Sequence, residues 1–471
     1  MSTTRKSELY TLIIVFFFWG FVAASNGIFI PFCKAHFNLT QFQSQLIDFT
    51  FYGGYFIGSI LLFVYSRITQ NDLLNKVGYK KGIVIGLIIS MLGALAIIPA
   101  VHAASFAFIL TAFFVVALGF SLQQTAAQPY AVSLGTADTG AHRLNLAGGI
   151  NSLGTTIGPV IVSFLLFGKM GGQGNASISS INELYLIMAG LFAAMALFFG
   201  ITGLKHTQVQ SDEVNLDMGA LKYPQLTLGM VAIFVYVGVE VSIQSNMGAL
   251  LQLPEFGGWS EAAISPFISL YWGSLMIGRW TGAVSAFDLG NTGKKIMMAL
   301  MPLIAFAVVV GVNYLNGNPV SLFYAYLIPV VLMMLMNFIA GENQVQALIL
   351  FSSFGVLAML IGLFTTGNIA LYAFISGGLA CSVLWPCIFS VAINGLGKYT
   401  SQASSFLIMM IVGGAIIPPL QGLMADNPSI GIHMSYGIAV LCFLYLVYYG
   451  IRAKKILAAS GQDLSTKTIG H

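Results

Sequence analysis

Two carboxylates stand inside long apolar runs, where an ionisable side chain is costly and is read first as functional. Glu240 lies deep in the run that begins near residue 226, within Tyr236-Val237-Gly238-Val239-Glu240-Val241-Ser242; Asp48 lies about one helical turn inside the end of the run 44–66. A carboxylate in such a place can carry a proton, or hold sodium with neighbouring oxygens. Its bland alternative is a hydrogen bond that ties two helices. Uncharged polar side chains cluster in the same runs: Asn26, then Gln123, Gln124, Thr125 and Gln128, then Asn145, Asn151 and Ser152, then Gln244 and Asn246. Amides both donate and accept, which suits a neutral ligand rich in hydroxyls, although buried amides also join helices. The candidate ligand contacts are Asn26, Gln124, Gln128, Asn151, Gln244 and Asn246, with Trp385, Tyr271 and Trp272 able to stack on the apolar face of a ring. Glu240 and Asp48 are the candidate cation-coupling groups. No nucleotide-binding loop is present, the six histidines form no ligand set, and the four cysteines have neither metal nor disulfide spacing. The residues therefore point to binding and movement of a solute, with no enzymatic constellation, no metal and no cofactor beyond a proton or a sodium ion.

The elements that must position these groups follow from composition. Hydrophobic residues make up 57% of the 471 and charged residues only 7%, against about a quarter charged in soluble domains. So few charges cannot cover a water-facing surface, and most of the outside must face lipid. The net charge of +4 is too small to suggest nucleic acid. Apolar runs fall at about 10–33, 44–66, 82–101, 105–129, 145–168 and 183–204; after the polar stretch 205–225 they resume at about 226–250, 263–287, 295–315, 321–341, 345–365, 368–392, 403–424 and 430–452. The pattern predicts an all-α membrane protein of about 14 spans: a six-helix half over 1–204, a cytoplasmic linker over 205–225, a second half over 226–456 and a tail over 457–471. The first run resembles a secretory signal, but its apolar character continues through Gly27-Ile28-Phe29-Ile30, long enough to be a retained helix. Of the 19 basic residues, only Lys34 and Lys169 fall outside when both termini are cytoplasmic. Glu342 then falls in a cytoplasmic turn, as an ordinary loop charge.

A faint internal repeat is legible. Gly78-Tyr79-Lys80-Lys81 after span 2 matches Gly293-Lys294-Lys295 after span 8, six spans on. Gln128-Pro129-Tyr130 in span 4 matches Trp385-Pro386-Cys387 in span 12, and Gly154-x-x-Ile157-x-Pro159 in span 5 matches Gly413-x-x-Ile416-x-Pro418 in span 13, both eight spans on. The growing offset predicts an extra hairpin in the second half, with 295–341 the candidate.

Phe42-Gln43, Leu46-Ile47 and Phe51-Tyr52-Gly53-Gly54-Tyr55-Phe56, then Gln124-Thr125-Ala126-Ala127-Gln128-Pro129 and Arg143-Leu144-Asn145-Leu146-Ala147, with Gly278-Arg279 and Ser404-Ser405-Phe406 further on, resemble the fucose–galactose–glucose:proton symporter family of the major facilitator superfamily. The resemblance implies two six-helix halves around a central cavity, sugar bound near the midplane, and rocking alternating access. It also implies departures. Gly27 and Gln124 stand where fucose permease-like members carry acids, and Gly148 stands where they carry a sugar-lining glutamine. Asn151 is kept. Glu240 resembles the acid of the glucose/galactose branch. The expectation is a monomeric, multi-pass protein of the bacterial inner membrane that takes up a neutral hexose or amino sugar with H+ or Na+. An uncoupled facilitator is the alternative, and a transporter-like sugar sensor a more distant one.

Overall fold

The chain is described from a computed structural model over residues 6–69, 74, 77–134, 140–167, 178–204, 219–284, 290–341, 343–396 and 399–459. Most of the predicted linker, the end of the tail and Glu342 lie outside these residues, as do Lys76, Lys169, Lys205 and Lys398.

Every long apolar run of the sequence is a helix, because backbone N–H and C=O groups facing lipid must be satisfied within their own segment. The first half holds α1 (Lys6–His36), α2 (Gln41–Thr69), α3 (Tyr79–His102), α4 (Phe106–Ser133), α5 (Gly140–Phe167) and α6 (Ile178–Ile201). The second holds α7 (Pro224–Leu251), α8 (Ser265–Ala283), α9 (Gly290–Leu315), α10 (Leu327–Ala340), α11 (Gln344–Phe364), α12 (Gly367–Cys381), α13 (Leu384–Ile393), α14 (Thr400–Met409), α15 (Gly413–Asp426), α16 (Gly431–Ser435) and α17 (Gly437–Ala459). The pairs α12–α13, α14–α15 and α16–α17 each make one broken crossing, and the 3-10 segment Val320–Tyr326 completes the crossing of α10. The described residues thus form fourteen segments of crossing length. Twelve of these segments are long and apolar enough to span by composition alone. The two that fall short, α2 and α8, both lie at the seam: α2 packs on α15 and α8, which carries Arg279, on α5, across the two halves.

Close helix approach is set by glycine. A Cβ on Gly154 of α5 would stand 2.0 Å from the Phe17 carbonyl oxygen of α1, and one on Gly413 of α15 would stand 1.8 Å from that of Phe234 in α7. No larger residue fits at either place. α9 and α10 stand at the outside of the second half and bury little; Leu303, Ile304, Ile328 and Leu335 on them are exposed apolar residues, the pattern of a lipid-facing surface.

Candidate functional site

Three polar groups form, two of them spanning the seam. The first is built on α7. Tyr236 and Glu240 are one turn apart, so the Tyr236 hydroxyl donates to Glu240 Oε1 at 3.0 Å. Antiparallel α8 brings Arg279, whose Nη2 donates to the same oxygen at 2.8 Å, while its Nη1 donates to Ser152 Oγ of α5 at 3.0 Å. Arg279 therefore forks between its own half and the other. The pair keeps some access, with 12% of the Glu240 and 24% of the Arg279 side chain exposed. Trp280 donates its indole N–H to the Gly149 carbonyl at 3.1 Å, and the half-buried Trp385 of α13 lies 6.0 Å from the Tyr236 ring. Tyr271 donates to the Glu240 carbonyl at 2.6 Å and is fully buried, as Trp272 nearly is, so neither presents a free ring face. Asn151, half-buried, is anchored by its amide nitrogen on the Phe16 carbonyl at 2.8 Å. Beside it the position of Gly148 faces open space, with nothing within 4 Å of where a Cβ would stand.

The second group stands nearer the α1–α2 turn. Asn26 of α1 donates to Asp48 Oδ1 at 3.4 Å, and Ser245 of α7 donates to Asp48 Oδ2 in a close hydrogen bond. Gln244 donates to Ser245 Oγ at 2.7 Å, and Gln45 to the Ser245 carbonyl at 3.2 Å. Asn246 accepts from Gln41 at 2.8 Å and donates to Gln421 Oε1 at 3.1 Å; Ser242 also donates to Gln421, which in turn donates to Ser435 at 3.3 Å. Five crossings are joined, all through buried side chains. At the rim Asp426 accepts from the Gln41 and Phe42 backbone amides, and Lys34 donates to Gln41 Oε1 at 2.8 Å.

The third group belongs to the first half alone. Tyr55 donates to Gln124 Oε1 at 2.7 Å and Gln128 to the same oxygen at 3.2 Å, with both glutamines half-buried. Gln123 is a structural member of the same helix, accepting from Trp19 and donating to Ser90.

So the structure brings Asp48, Asn26, Gln244 and Asn246 together, places Glu240 with Trp385, Asn151 nearby on the α5 side, and sets Gln124 with Gln128. Sequence reasoning passed over Arg279, counting it as a charge at a span end. It lies within the unbroken apolar stretch around Ile277, which marks it as a cation in need of a buried anion. It also passed over Gln45, Ser245, Gln421 and Asp426, whose roles depend on helices distant in sequence.

Two helical halves facing each other across a polar seam, with an ion pair at the seam and an apolar exterior, are the architecture of a multi-pass membrane transporter. The Major Facilitator Superfamily matches residues 11–348. A glucose/galactose transporter of Brucella abortus is 34% identical over 452 residues, covering 95% of this chain and 94% of that one. An L-fucose-proton symporter of Escherichia coli is 26% identical over 458 residues, 92% and 90% of the two chains. The crystal structure of FucP in its outward conformation superposes with a TM-score of 0.63 at 24% identity, over 94% of this chain and 98% of that one. The chain belongs to the fucose–galactose–glucose:proton symporter family of the major facilitator superfamily.

Proposed function

We propose that this protein takes up a neutral hexose of the glucose/galactose class across the bacterial inner membrane, in symport with a cation, by alternating access. Its kinship with transporters of that name supports the sugar class. The observation that carries the reading is Arg279, held between Glu240 and Ser152 at the seam. Vicinal hydroxyls of a sugar donate to a carboxylate and accept from a guanidinium, so a bound hexose replaces part of that fork and is felt by both halves. Trp385 supplies a ring face, and the room beside Gly148 and Asn151 admits the sugar where the fucose-type glutamine is missing.

Arg279 already provides the counter-charge that Glu240 would otherwise take from a cation. Glu240 is therefore assigned to the sugar, and coupling falls to Asp48. Both termini lie in the cytoplasm, the protein acts as a monomer, and the Asp48 end of the bundle faces the periplasm.

The test is uptake of labelled glucose, galactose, fucose and N-acetylglucosamine into proteoliposomes, with proton and sodium gradients imposed separately. Accumulation of glucose or galactose above equilibrium under one gradient, with loss of all uptake in Glu240→Gln, is the expected result. Equilibration under every gradient would make the protein an uncoupled facilitator. No movement of any of the four would overturn the sugar reading.

A further inference from the structure

We infer that Asp48, Gln45, Gln244 and Ser245 form a sodium site shared by the two halves. The argument starts from charge. Asp48 is 1% exposed, and among the described residues no basic side chain pairs with it. Lys34 of α1, Asp426 of α15 and Glu240 of α7 are engaged elsewhere: Lys34 on Gln41, Asp426 on the α2 backbone amides, and Glu240 with Arg279. A buried carboxylate left in this way requires a positive charge or a proton.

Hydrogen bonding decides between them. The amide oxygens of Gln45 and Gln244 are both buried and have no donor, though each side chain is anchored by its nitrogen on Ser245, the residue that also donates to Asp48. Gln45 is wholly buried and Gln244 is 1% exposed. Asp48 accepts from Asn26 and Ser245 yet keeps its charge unbalanced, and the two amide oxygens accept from nothing. A proton on Asp48 supplies one O–H and leaves at least one of the amide oxygens unsatisfied, at about 1–3 kcal/mol. A hard cation accepts carboxylate, hydroxyl and amide oxygens together. One carboxylate balances one unit of charge, which selects a monovalent ion, and the tight burial of all four side chains selects a small one.

Asp48 and Gln45 come from α2, Ser245 and Gln244 from α7. The site is complete only when the halves meet at this end, so sodium favours that conformation by its differential affinity. Its part in uptake rests on the symport reading above; the binding itself does not.

The experiment is thermal inactivation of the purified protein in detergent without sugar, titrating NaCl against choline chloride at constant ionic strength, with KCl and a pH series alongside. Sodium at ten times its half-saturating concentration is expected to lengthen the half-life about tenfold, saturably, with choline and potassium inert. Asp48→Asn is expected to abolish the effect, Ser245→Ala to raise the half-saturating concentration at least tenfold, and Lys81→Gln, on the exposed surface of α3, to leave it unchanged. The serine variant keeps the test valid should the aspartate variant fail to fold. Stabilisation by all salts alike, or by acid and not by sodium, would overturn the site. Sodium-specific stabilisation without sodium-driven uptake would uphold the site and overturn its part in coupling.

Discussion

Asp426, from the other half of the molecule, adds to the capping of α2, where Thr40 and Gln43 already form a capping box. Asp426 ends α15, yet its two carboxylate oxygens accept the backbone N–H groups of Gln41 at 2.7 Å and Phe42 at 2.8 Å, in the first turn of α2. Such amides have no partner within their own helix. Loss of an N-cap costs about 0.5–2 kcal/mol, and a carboxylate at the positive end of a helix contributes about 0.3–1 kcal/mol. Asp426 is exposed, and water replaces it when the halves part, so the lower part of each range applies: about 1–2 kcal/mol in all. At about 1.4 kcal/mol per decade, Asp426→Ala should raise the ratio of open to closed molecules at this end roughly 5- to 30-fold. Asp426→Asn keeps one acceptor and loses the charge, so its effect should be roughly 2- to 5-fold. Spin labels at Ala35→Cys and Pro428→Cys report the separation by pulsed dipolar spectroscopy; both sites are exposed on opposite halves, and all four native cysteines are buried. Populations in Asp426→Ala within twofold of the parent, or a shift toward the shorter distance, would refute the assignment of the cap as a clasp between halves.

Removing one partner of the Arg279–Glu240 pair leaves a largely buried charge. Each of Glu240→Gln and Arg279→Gln should cost about 2–3 kcal/mol of stability, below the roughly 3–5 kcal/mol of fully buried pairs because both groups keep some access. The double variant should recover at least 1 kcal/mol relative to the sum of the two, as read from a double-mutant cycle on denaturant unfolding. Gly154→Ala and Gly413→Ala each force a Cβ into a neighbouring carbonyl and should abolish folded, monodisperse protein, whereas Gly148→Ala opens onto free space and should purify like the parent, as size-exclusion chromatography would show. Trp385→Phe should keep sugar affinity within a few fold and Trp385→Ala lower it roughly tenfold, about the worth of one aromatic stacking partner, in equilibrium binding of labelled sugar.

The fold was legible because its rule is one-dimensional. A lipid-facing helix must satisfy its own backbone and be apolar for its own length, so the run boundaries near 82–101 and 345–365 correspond to α3 and α11 with little change. The site was half legible for the opposite reason. Glu240 and Asp48 advertise themselves as charges in apolar surroundings, but what they touch depends on which helices meet. Nothing near Asp48 in the sequence announces Ser245, and nothing near Gln41 announces Asp426. Arg279 carried a signal that was discounted, since a basic residue near a span end satisfies the charge rule for topology as readily as it satisfies a buried carboxylate. Tyr271 and Trp272, attractive as stacking rings by type, are turned into the packing of the second half.

The repeat explains how two extra crossings fit into this architecture. Gly154 brings α5 onto α1, and Gly413 brings α15 onto α7, so the matched glycines make matched contacts. α3 packs on α4 and α6 in the first half, and α11 packs on α12 and α17 in the second. By that correspondence α11 answers α3, and α9 and α10 have no counterpart. They are nevertheless tied into the seam: Asn313 of α9 donates to Ser269 Oγ at 3.0 Å, Ser269 donates to the Thr156 carbonyl of α5 at 2.9 Å, and Asn316 donates to the Val160 carbonyl at 3.2 Å. The added pair thus reinforces the α5–α8 side of the seam, whereas the α2–α15 side is held at its rim by Asp426 and deeper down by the Asp48 cluster. An even number of added crossings leaves every later helix in its original sense, which is why a hairpin, and not a single helix, is the unit that this fold accommodates.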